Sequence, residues 1–434
     1  MKIAVLVKQV PSEQSVLTLD PETKWLARGK FDSVVNSRDL AAVECALVVS
    51  DKSEIETLVI SMGPSGVSDC TKKALAMGIA SAVHITDEAL AGSDIWMTAK
   101  TLATAIEKLD VDFVFSGVEA SDGRSGVVAA MIAGILNWNF LEAQTELEID
   151  QLINMKNKTV VTVSPQMNSP RLPNFKGIAA AKTKPVVAWG LKELGIENLA
   201  PKIRVVSFEE KTAKAGAEKV SGTNAEIAKL ILDKVQEWSA VDIADSDSIS
   251  TSDSVKVFEN SQKFEAAMLA GKNQYGIITD VKNQISEVQF VKENFDGRIE
   301  TTVESEGPCV VTLASSPDKQ GIYVGVGGGV SDAKNIDFLL EKLNAKKVGT
   351  AAALDKGYIN ASQLVGESGN KANPNVYLAF GVSGAHHHMV GIKSPRHLIA
   401  VNKDPEAEIF NYADLAIVAD ADEILAELVK ELSN

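Results

Sequence analysis

In the first part of the chain, short apolar runs alternate with stretches that are apolar at helical spacing. The runs predict strands at Lys2–Lys8, Glu56–Met62, Ala82–Ile85 and Phe113–Gly117. The periodic stretches predict helices at Arg38–Val49, Ser65–Met77, Ile95–Leu109 and Gly126–Leu136. Such an order, with short connections, indicates a parallel sheet covered on both faces. Thr159–Val163 and Pro185–Trp189 add later strands. Glu226–Trp238 is apolar at Ile227, Leu230, Ile231 and Val235, so it predicts a helix that must pack on something.

Ser239–Ser254 is rich in Ser and Asp and has little to bury, which reads as a flexible acidic linker. It divides the chain into a front of about 240 residues and a back of about 180. The back opens with strand-like runs at Tyr275–Thr279, Glu287–Lys292 and Cys309–Leu313. Thr159–Val163 and Cys309–Leu313 echo each other, suggesting related units. From Ile322 the alternation resumes: Ile322–Val326, a helix Asp332–Leu343, Lys347–Thr350, a helix around Ala361, Val376–Phe380, Leu398–Val401, Leu415–Val418 and a helix Glu423–Leu432. That order is similar to a flavodoxin-like doubly wound sheet.

Composition narrows the function classes. The 434 residues suit two or three domains, and 45% hydrophobic with 23% charged residues is ordinary for a soluble globular protein. A net charge of −15 argues against nucleic acid or an anionic membrane as main partner. Cys45, Cys70 and Cys309 are far apart and form no CxxC, so neither a disulfide scaffold nor a zinc site is expected. With no signal-peptide pattern and no apolar run long enough for a bilayer, a cytoplasmic protein is expected.

The chemistry concentrates in Val376–Asp404. An apolar strand runs into Gly381-Val382-Ser383-Gly384, and a helix can start at Ala385. A glycine turn opening a helix presents free N–H groups to one point, which suits a phosphate. The turn is neither GxGxxG nor a P-loop, so alone it is more often a plain tight turn. His386-His387-His388 invites a metal, but successive helix residues point about 100° apart and cannot share one ion well.

Several motifs in order then resemble the electron transfer flavoprotein family. In the back these are Val365-Gly366-Glu367-Ser368-Gly369, Gly381–Ala385 with His388 and Gly391, Ala400–Ala407, and Ala413-Asp414 through Asp420. They resemble the FAD-binding C-terminal domain of the alpha subunit. In the front, Val7–Val10, Asn36 with Ala41–Glu44, Gly63-Pro64, Ala74–Gly78, Asp122-Gly123, Asn168–Arg171 and Ile178–Lys182 resemble the beta subunit. The chain thus resembles a beta subunit fused to a shortened alpha subunit. The resemblance implies an α/β fold: an adenine-nucleotide alpha hydrolase-like parallel sheet in front and a flavodoxin-like or DHS-like FAD-binding domain behind. The implied divisions are a beta-like domain 1–200, a beta C-terminal arm 201–238, the linker 239–255, an alpha remnant 256–316 and the FAD-binding domain 317–434.

The resemblance also assigns roles. Ser368, Ser383 and the amides near Gly384 and Ala385 would hold the FAD pyrophosphate and ribityl chain, with Gly366, Gly369 and Gly381 shaping the turns. His388 would reach the flavin's pyrimidine carbonyl edge. Asn402, with Lys403 and Asp404, and Asp420 would hold the adenosine end; Asp420 also suits a helix N-cap, and the Asn402 segment a plain turn. In front, Val7, Asn36, Gly63 and the loop Asp122-Gly123-Arg124-Ser125 would hold AMP, or in bifurcating relatives a second FAD. Phe175 falls where a beta subunit anchors in its partner, a flavoprotein dehydrogenase or ferredoxin-type redox protein. The alternative for Phe175 is internal packing.

Departures from the family matter. The family's arginine after the glycines of the first alpha-domain strand is replaced by Val330, and its second arginine, near the flavin ring, by Ala351; Lys334, Lys356 or Lys371 could supply the charge instead, at places the sequence does not fix. Val127 stands at a glutamine of the AMP loop, where a core-facing valine is the plain alternative. The leading expectation is a single-chain electron carrier. The second is a nucleotide-binding regulatory protein with degraded redox function. A hydrolase or transferase finds no nucleophile–base constellation.

Overall fold

A computed structural model of the chain describes residues 1–12, 18–28, 32–65, 69–147, 152, 154–210, 217–239, 249, 252, 254–294, 299–313, 318–366, 370, 372–389, 391–392 and 395–433. The expected linker, and Ser368, Gly369 and Lys371, lie wholly or mostly outside these residues. The chain forms two compact units that interleave in sequence. One comprises 1–208, 248–295 and 301–314; the other comprises 209–247, 296–300 and 315–434.

The strands of the first unit are β1 (Lys2–Leu6), β2 (Gln9–Pro11), β3 (Ser33–Val35), β4 (Glu56–Met62), β5 (Ser81–Ile85), β6 (Phe113–Gly117), β7 (Asn139–Gln144), β8 (Thr159–Val163), β9 (Val186–Trp189) and β10 (Ile203–Glu210). Its first helices are α1 (Ser37–Lys52), α2 (Asp69–Met77), α3 (Ile95–Leu109), α4 (Val128–Leu136) and α5 (Phe175–Ala181). Seven strands form one parallel sheet in the order β7–β8–β6–β1–β4–β5–β9. Alternation along β1 sends Ala4 and Leu6 to the α3 and α4 side, and Ile3 and Val5 to the α1 and α2 side. The order reverses between β1 and β6, so a crevice opens beyond Leu6 and Gly117.

A second sheet belongs to the same unit, with the order β10–β15–β14–β13–β16–β12. Its other strands are β12 (Val255–Phe258), β13 (Gly276–Gln284), β14 (Gln289–Asn294), β15 (Ile299–Ser305) and β16 (Cys309–Leu313). A helix that the sequence reading missed, Lys263–Asn273, precedes β13.

The echo between Thr159–Val163 and Cys309–Leu313 belongs to a structural repeat. Strand β6, helix α4, β7 and β8 match β12, the helix Lys263–Asn273, β13 and β16, with spatial orders β7–β8–β6 and β13–β16–β12. The registers agree: Phe113 pairs Thr159 and Val255 pairs Cys309, while Asn139 pairs Thr159 and Gly276 pairs Cys309. Each copy carries a left-handed helix cap, Asn137 or Gln274, and an irregular strand with a left-handed residue, Ala143 or Asp280. The helices read Ala129-Ala130-Met131-Ile132-Ala133-Gly134 and Ala266-Ala267-Met268-Leu269-Ala270-Gly271. They cross at their glycines. A methyl group at Gly134 would overlap the Met268 carbonyl, and one at Gly271 would overlap the Met131 carbonyl. The contact is reciprocal, as in a two-fold interface.

The second unit has one parallel sheet, β11–β21–β20–β19–β17–β18. These strands are β11 (Glu218–Val220), β17 (Asp318–Val326), β18 (Lys346–Gly349), β19 (Pro374–Phe380), β20 (His397–Asn402) and β21 (Leu415–Val418). Continuing the helix numbering, α6 is Asn224–Ser239, α7 is Lys263–Asn273, α8 is Lys334–Leu343, α9 is Ala351–Asp355, α10 is His386–Met389 and α11 is Ala421–Ser433. The amphipathic α6 finds its partner here: Ile227, Ala228, Ile231 and Val235 join one core with Leu425 and Leu428 of α11. The expected helix around Ala361 is only a 3-10 turn, Ala361–Gln363. Strand order reverses between β17 and β19, placing a second crevice beyond Val326 and Phe380.

Gly134→Val should destabilise the first unit by about 1–3 kcal/mol or more through overpacking at this crossing. Gly307→Ala, where an added methyl meets nothing within 4 Å, should change the melting temperature little. Equal melting temperatures for both variants would remove the crossing as a constraint.

Candidate functional site

The crevice of the second unit is made of backbone. Gly327-Gly328-Gly329 follows β17 and Gly381 follows β19, and the two turns touch. Gly327 N–H donates to Phe380 O at 2.9 Å, and Gly329 N–H to Gly381 O at 3.0 Å. A methyl at Gly327 would overlap the Gly381 carbonyl, so no side chain fits. Gly381 adopts φ +62°, and Gly384 φ +85°, both natural for glycine. Gly384 also lies against the Ile409 backbone, where Ile409 N–H donates to Ser383 O at 3.0 Å.

Between these glycines, the N–H groups of Val382, Ser383 and Gly384 have no internal partner among the described residues. Consecutive free amides in a turn with left-handed residues form an anion-binding concavity. The pyrophosphate of FAD fits this chemistry. The helix expected to supply a dipole from Ala385 is the single turn α10, too short for that role. The amides of the turn replace it.

Ser383 and Ala385 are exposed beside this turn, and Ser383 Oγ accepts a long 3.4 Å bond from Ala385 N–H. Asn402 Nδ2 donates to Val382 O at 2.8 Å and its Oδ1 accepts from Asp404 N–H at 3.0 Å, so Asn402 ties β20 to the turn. Lys403 and Asp404 are exposed at the same edge. Asp420 Oδ1 accepts from Asp422 N–H at 2.9 Å at the start of α11, which agrees with the capping role. Gly366 N–H donates to Asn370 O at 3.3 Å, and its backbone packs against Gly391.

His388 departs from expectation. It is buried, and burial pushes its pKa down while a hydrogen bond to Val365 opposes this, so the ring is neutral. Val365 O, 3.0 Å from Nδ1, can only accept; Nδ1 therefore carries the proton. Nε2 then accepts from the Tyr377 hydroxyl at 2.8 Å. No ring N–H remains for a flavin carbonyl. His388 instead fixes the Val365 segment against β19. Tyr377 needs the room that Gly325 leaves, since a methyl there would overlap its hydroxyl.

Val330 is buried in the core of the unit and cannot be a masked charge position. Ala351 is exposed at the start of α9, which Thr350 caps through a 3.3 Å bond from Ala353 N–H. Of the three candidate lysines, Lys356 reaches the crossing: Nζ donates to Gly328 O at 2.7 Å. Lys334 is the first residue of α8.

The front crevice is differently built. Asp122 is tied to Lys8 Nζ at 2.8 Å and Arg28 Nη2 at 2.5 Å, and its side chain is 1% exposed. Burial alone would raise its pKa, but the two cations outweigh this and hold it below the ordinary value. Val7 N–H donates to Ile60 O and Gly63 N–H to Ile85 O, each at 3.0 Å, so both extend the sheet. Gly123 faces open space, Arg124 sits at φ +47° with Nε donating to Ser121 O at 3.2 Å, and Ser125 is half-buried. Val127 is fully buried in the core. Asn36 Nδ2 donates to Glu119 O at 2.9 Å, while Asn36 Oδ1 and Arg38 Nη1 are buried without a hydrogen-bond partner. With Asp122 consumed and Val127 in the core, AMP does not fit as the resemblance would place it.

Phe175 is 94% exposed, so the internal alternative is excluded; Leu172, missed in the sequence reading, is 87% exposed beside it in the chain. Asn174 caps α5 through a 2.8 Å bond from Gly177 N–H, and Gly177 packs against the Ala76 carbonyl. Arg171 holds the loop base with a forked pair to Glu44 at 2.9 Å and a 2.8 Å contact to Asp51. Asn168 Nδ2 adds a 3.0 Å bond to Ala41 O. A rigid base thus presents two apolar side chains to solvent.

Among the described residues, no group of His, Cys, Asp or Glu could hold a metal, and no helix is long and apolar enough to cross a membrane. The fold is that of an α/β protein of parallel sheets, with a crevice of backbone amides at the β17–β19 crossing. Residues 23–194 match the electron transfer flavoprotein domain, and residues 318–393 match the electron transfer flavoprotein FAD-binding domain. The caffeyl-CoA reductase-Etf complex subunit CarD of Acetobacterium woodii is 31% identical over 260 residues, covering 55% of this chain and 98% of that protein. An electron transfer flavoprotein subunit beta of Thermoanaerobacterium thermosaccharolyticum is 35% identical over 238 residues, 50% of this chain and 91% of that one. A probable mitochondrial alpha subunit of Cryptococcus neoformans is 35% identical over 193 residues, 43% of this chain and 51% of that one. The chain belongs to the electron transfer flavoprotein family, with a beta-like and an alpha-like region in one polypeptide.

Asp39 gives a pH prediction for the front crevice. Burial raises its pKa from 3.8 to about 7, against opposing bonds such as Lys8 N–H at 2.8 Å. The native state therefore holds this proton between those values, and its contribution to stability is full below about pH 4 and lost as pH rises through 7. Each pH unit in that window removes up to ~1.4 kcal/mol. Asp39→Asn should gain stability relative to the parent as pH rises from 5 to 8 in urea denaturation. A constant difference across that range would contradict the buried acid.

Proposed function

We propose that the chain is a single-chain electron transfer flavoprotein that binds FAD at the glycine crossing of β17 and β19. The observation that carries this reading is the run of free amides at Val382, Ser383 and Gly384 between two touching glycine turns. FAD, when bound, supplies reversible electron transfer. The amides and Ser383 hold its pyrophosphate. Asn402 and Asp420 hold the walls of the adenosine end, and Lys403 and Asp404 border it. The front crevice takes no AMP in this proposal, because Lys8 and Arg28 already satisfy Asp122.

The partner is a flavoprotein dehydrogenase or a ferredoxin-type redox protein on one side and an acceptor protein on the other. A relative whose name places it in a caffeyl-CoA reductase complex supports a redox-protein partner. Phe175 and Leu172 are the anchors, since exposed apolar side chains on a rigid base carry most of the energy in small interfaces. The second reading, a nucleotide-binding regulatory protein, is favoured by Val330 and Ala351 at the arginine positions.

Stepwise dithionite reduction of the purified chain, followed in the visible range, separates the two. A flavin spectrum that bleaches reversibly is expected. A colourless chain that FAD cannot reconstitute would overturn electron transfer. Phe175→Ala should slow interprotein transfer about tenfold, a typical hot-spot loss, with the spectrum unchanged. Equal transfer rates would remove the docking role.

A further inference from the structure

At the glycine crossing sits a lysine ammonium that has no counter-ion among the described residues. Lys356 follows α9, where Gly357 turns the chain at φ +73°. Its ammonium folds back onto Gly328 O at 2.7 Å, at the C-terminal edge of the sheet. Among the described residues no carboxylate lies within ion-pair distance of it. Two acids that bond the neighbouring Ser331–Lys334 segment are engaged there. Asp422 accepts from Ser331 N–H at 3.1 Å and from Ser331 Oγ at 2.5 Å, and Asp332 accepts from Lys334 N–H at 3.0 Å. The Tyr358 ring lies 5.8 Å from the ammonium, and its hydroxyl donates to Ser331 O at 2.7 Å. This brackets the Gly327–Ser331 turn and fixes where the lysine reaches.

An unpaired ammonium held at a cofactor crevice acts on whichever state of the cofactor is more negative. Uptake of two electrons and one proton from a donor flavoprotein, or from dithionite, leaves a flavin ring one charge more negative than before. We propose that Lys356 is the residue whose charge makes this chain hold reduced FAD more tightly than oxidised FAD. The proposal rests on FAD binding at the crossing. Lys356 acts through its charge and does not take part in proton or electron transfer. Val330 and Ala351 bring no charge to the crossing, so the lysine acts without a second cation from those two positions.

The test uses the full chain and the variants Lys356→Met and Lys356→Arg, each checked for a parent-like melting curve. Dissociation of oxidised FAD is followed by flavin fluorescence, and the two-electron midpoint potential by dye-coupled reduction. Lys356→Met should weaken reduced FAD at least tenfold more than oxidised FAD, lowering the potential by about 30 mV or more. Lys356→Arg should keep the potential within a third of that change. An unchanged potential in Lys356→Met overturns the proposal. So does an equal loss of both affinities, which would mean that Lys356 only holds the Gly328 turn. Failure of the parent chain itself to take up FAD overturns the proposed function as well, and is distinguished by the missing flavin spectrum.

Discussion

The contact on which the second unit depends is backbone against backbone: the turn after β17 against the turn after β19. A Cβ at Gly327 would overlap the Gly381 carbonyl, and one at Gly381 would meet the backbone of Gly329 and Val330, so neither can carry a side chain. The approach lets Gly329 N–H bond Gly381 O, and it fixes where the chain leaves β19. From that exit follow the amides of Val382, Ser383 and Gly384, which have no internal partner among the described residues. Asn402 then locks the Val382 carbonyl, and the Ile409 amide locks Ser383 O. Contacts within the chain hold the turn in this shape, and a turn already held pays less ordering cost if the proposed cofactor binds there. Side chains tune it; Lys356 adds charge, and the buried His388–Tyr377 pair stiffens the wall.

The first unit uses the same device for another purpose. Gly134 and Gly271 allow two helices to touch at their backbones and join two copies of one supersecondary motif. The joined surface is apolar, built from Ala130, Met131, Ala266, Ala267 and Ala270. Its neighbouring crevice at β1 and β6 is by contrast an ionic one. There Lys8 and Arg28 pair ionically with Asp122, while Asn36 Oδ1 and Arg38 Nη1 find no hydrogen-bond partner among the described residues. Buried polar atoms without partners are costly.

Much of this was legible from periodicity. The strands Glu56–Met62, Phe113–Gly117, Thr159–Val163 and Leu415–Val418 are short runs dominated by apolar and β-branched residues, and each forms with the expected bounds. The helix Lys263–Asn273 was not legible, because its buried face is Ala266, Ala267, Ala270 and Gly271, which carry almost no hydrophobic signal. Comparing it with Ala129–Gly134 would have found it. The site was legible as a glycine turn but not in its physics. Sequence cannot show that α10 ends after one turn, nor that Tyr377 and Val365 occupy both nitrogens of His388. Nor could it separate an exposed Phe175 from a core one, since the capping of α5 by Asn174 sets that direction.

Hydrogen–deuterium exchange of the full chain, with and without saturating FAD, tests at peptide resolution whether the backbone at the crossing forms the cofactor seat. Peptides covering Gly327–Val330 and Gly381–Ala385 should slow their exchange on FAD addition, while peptides of the front loop Asp122–Val127 should not change. Protection confined to the front loop, with the two glycine turns unaffected, would contradict the account.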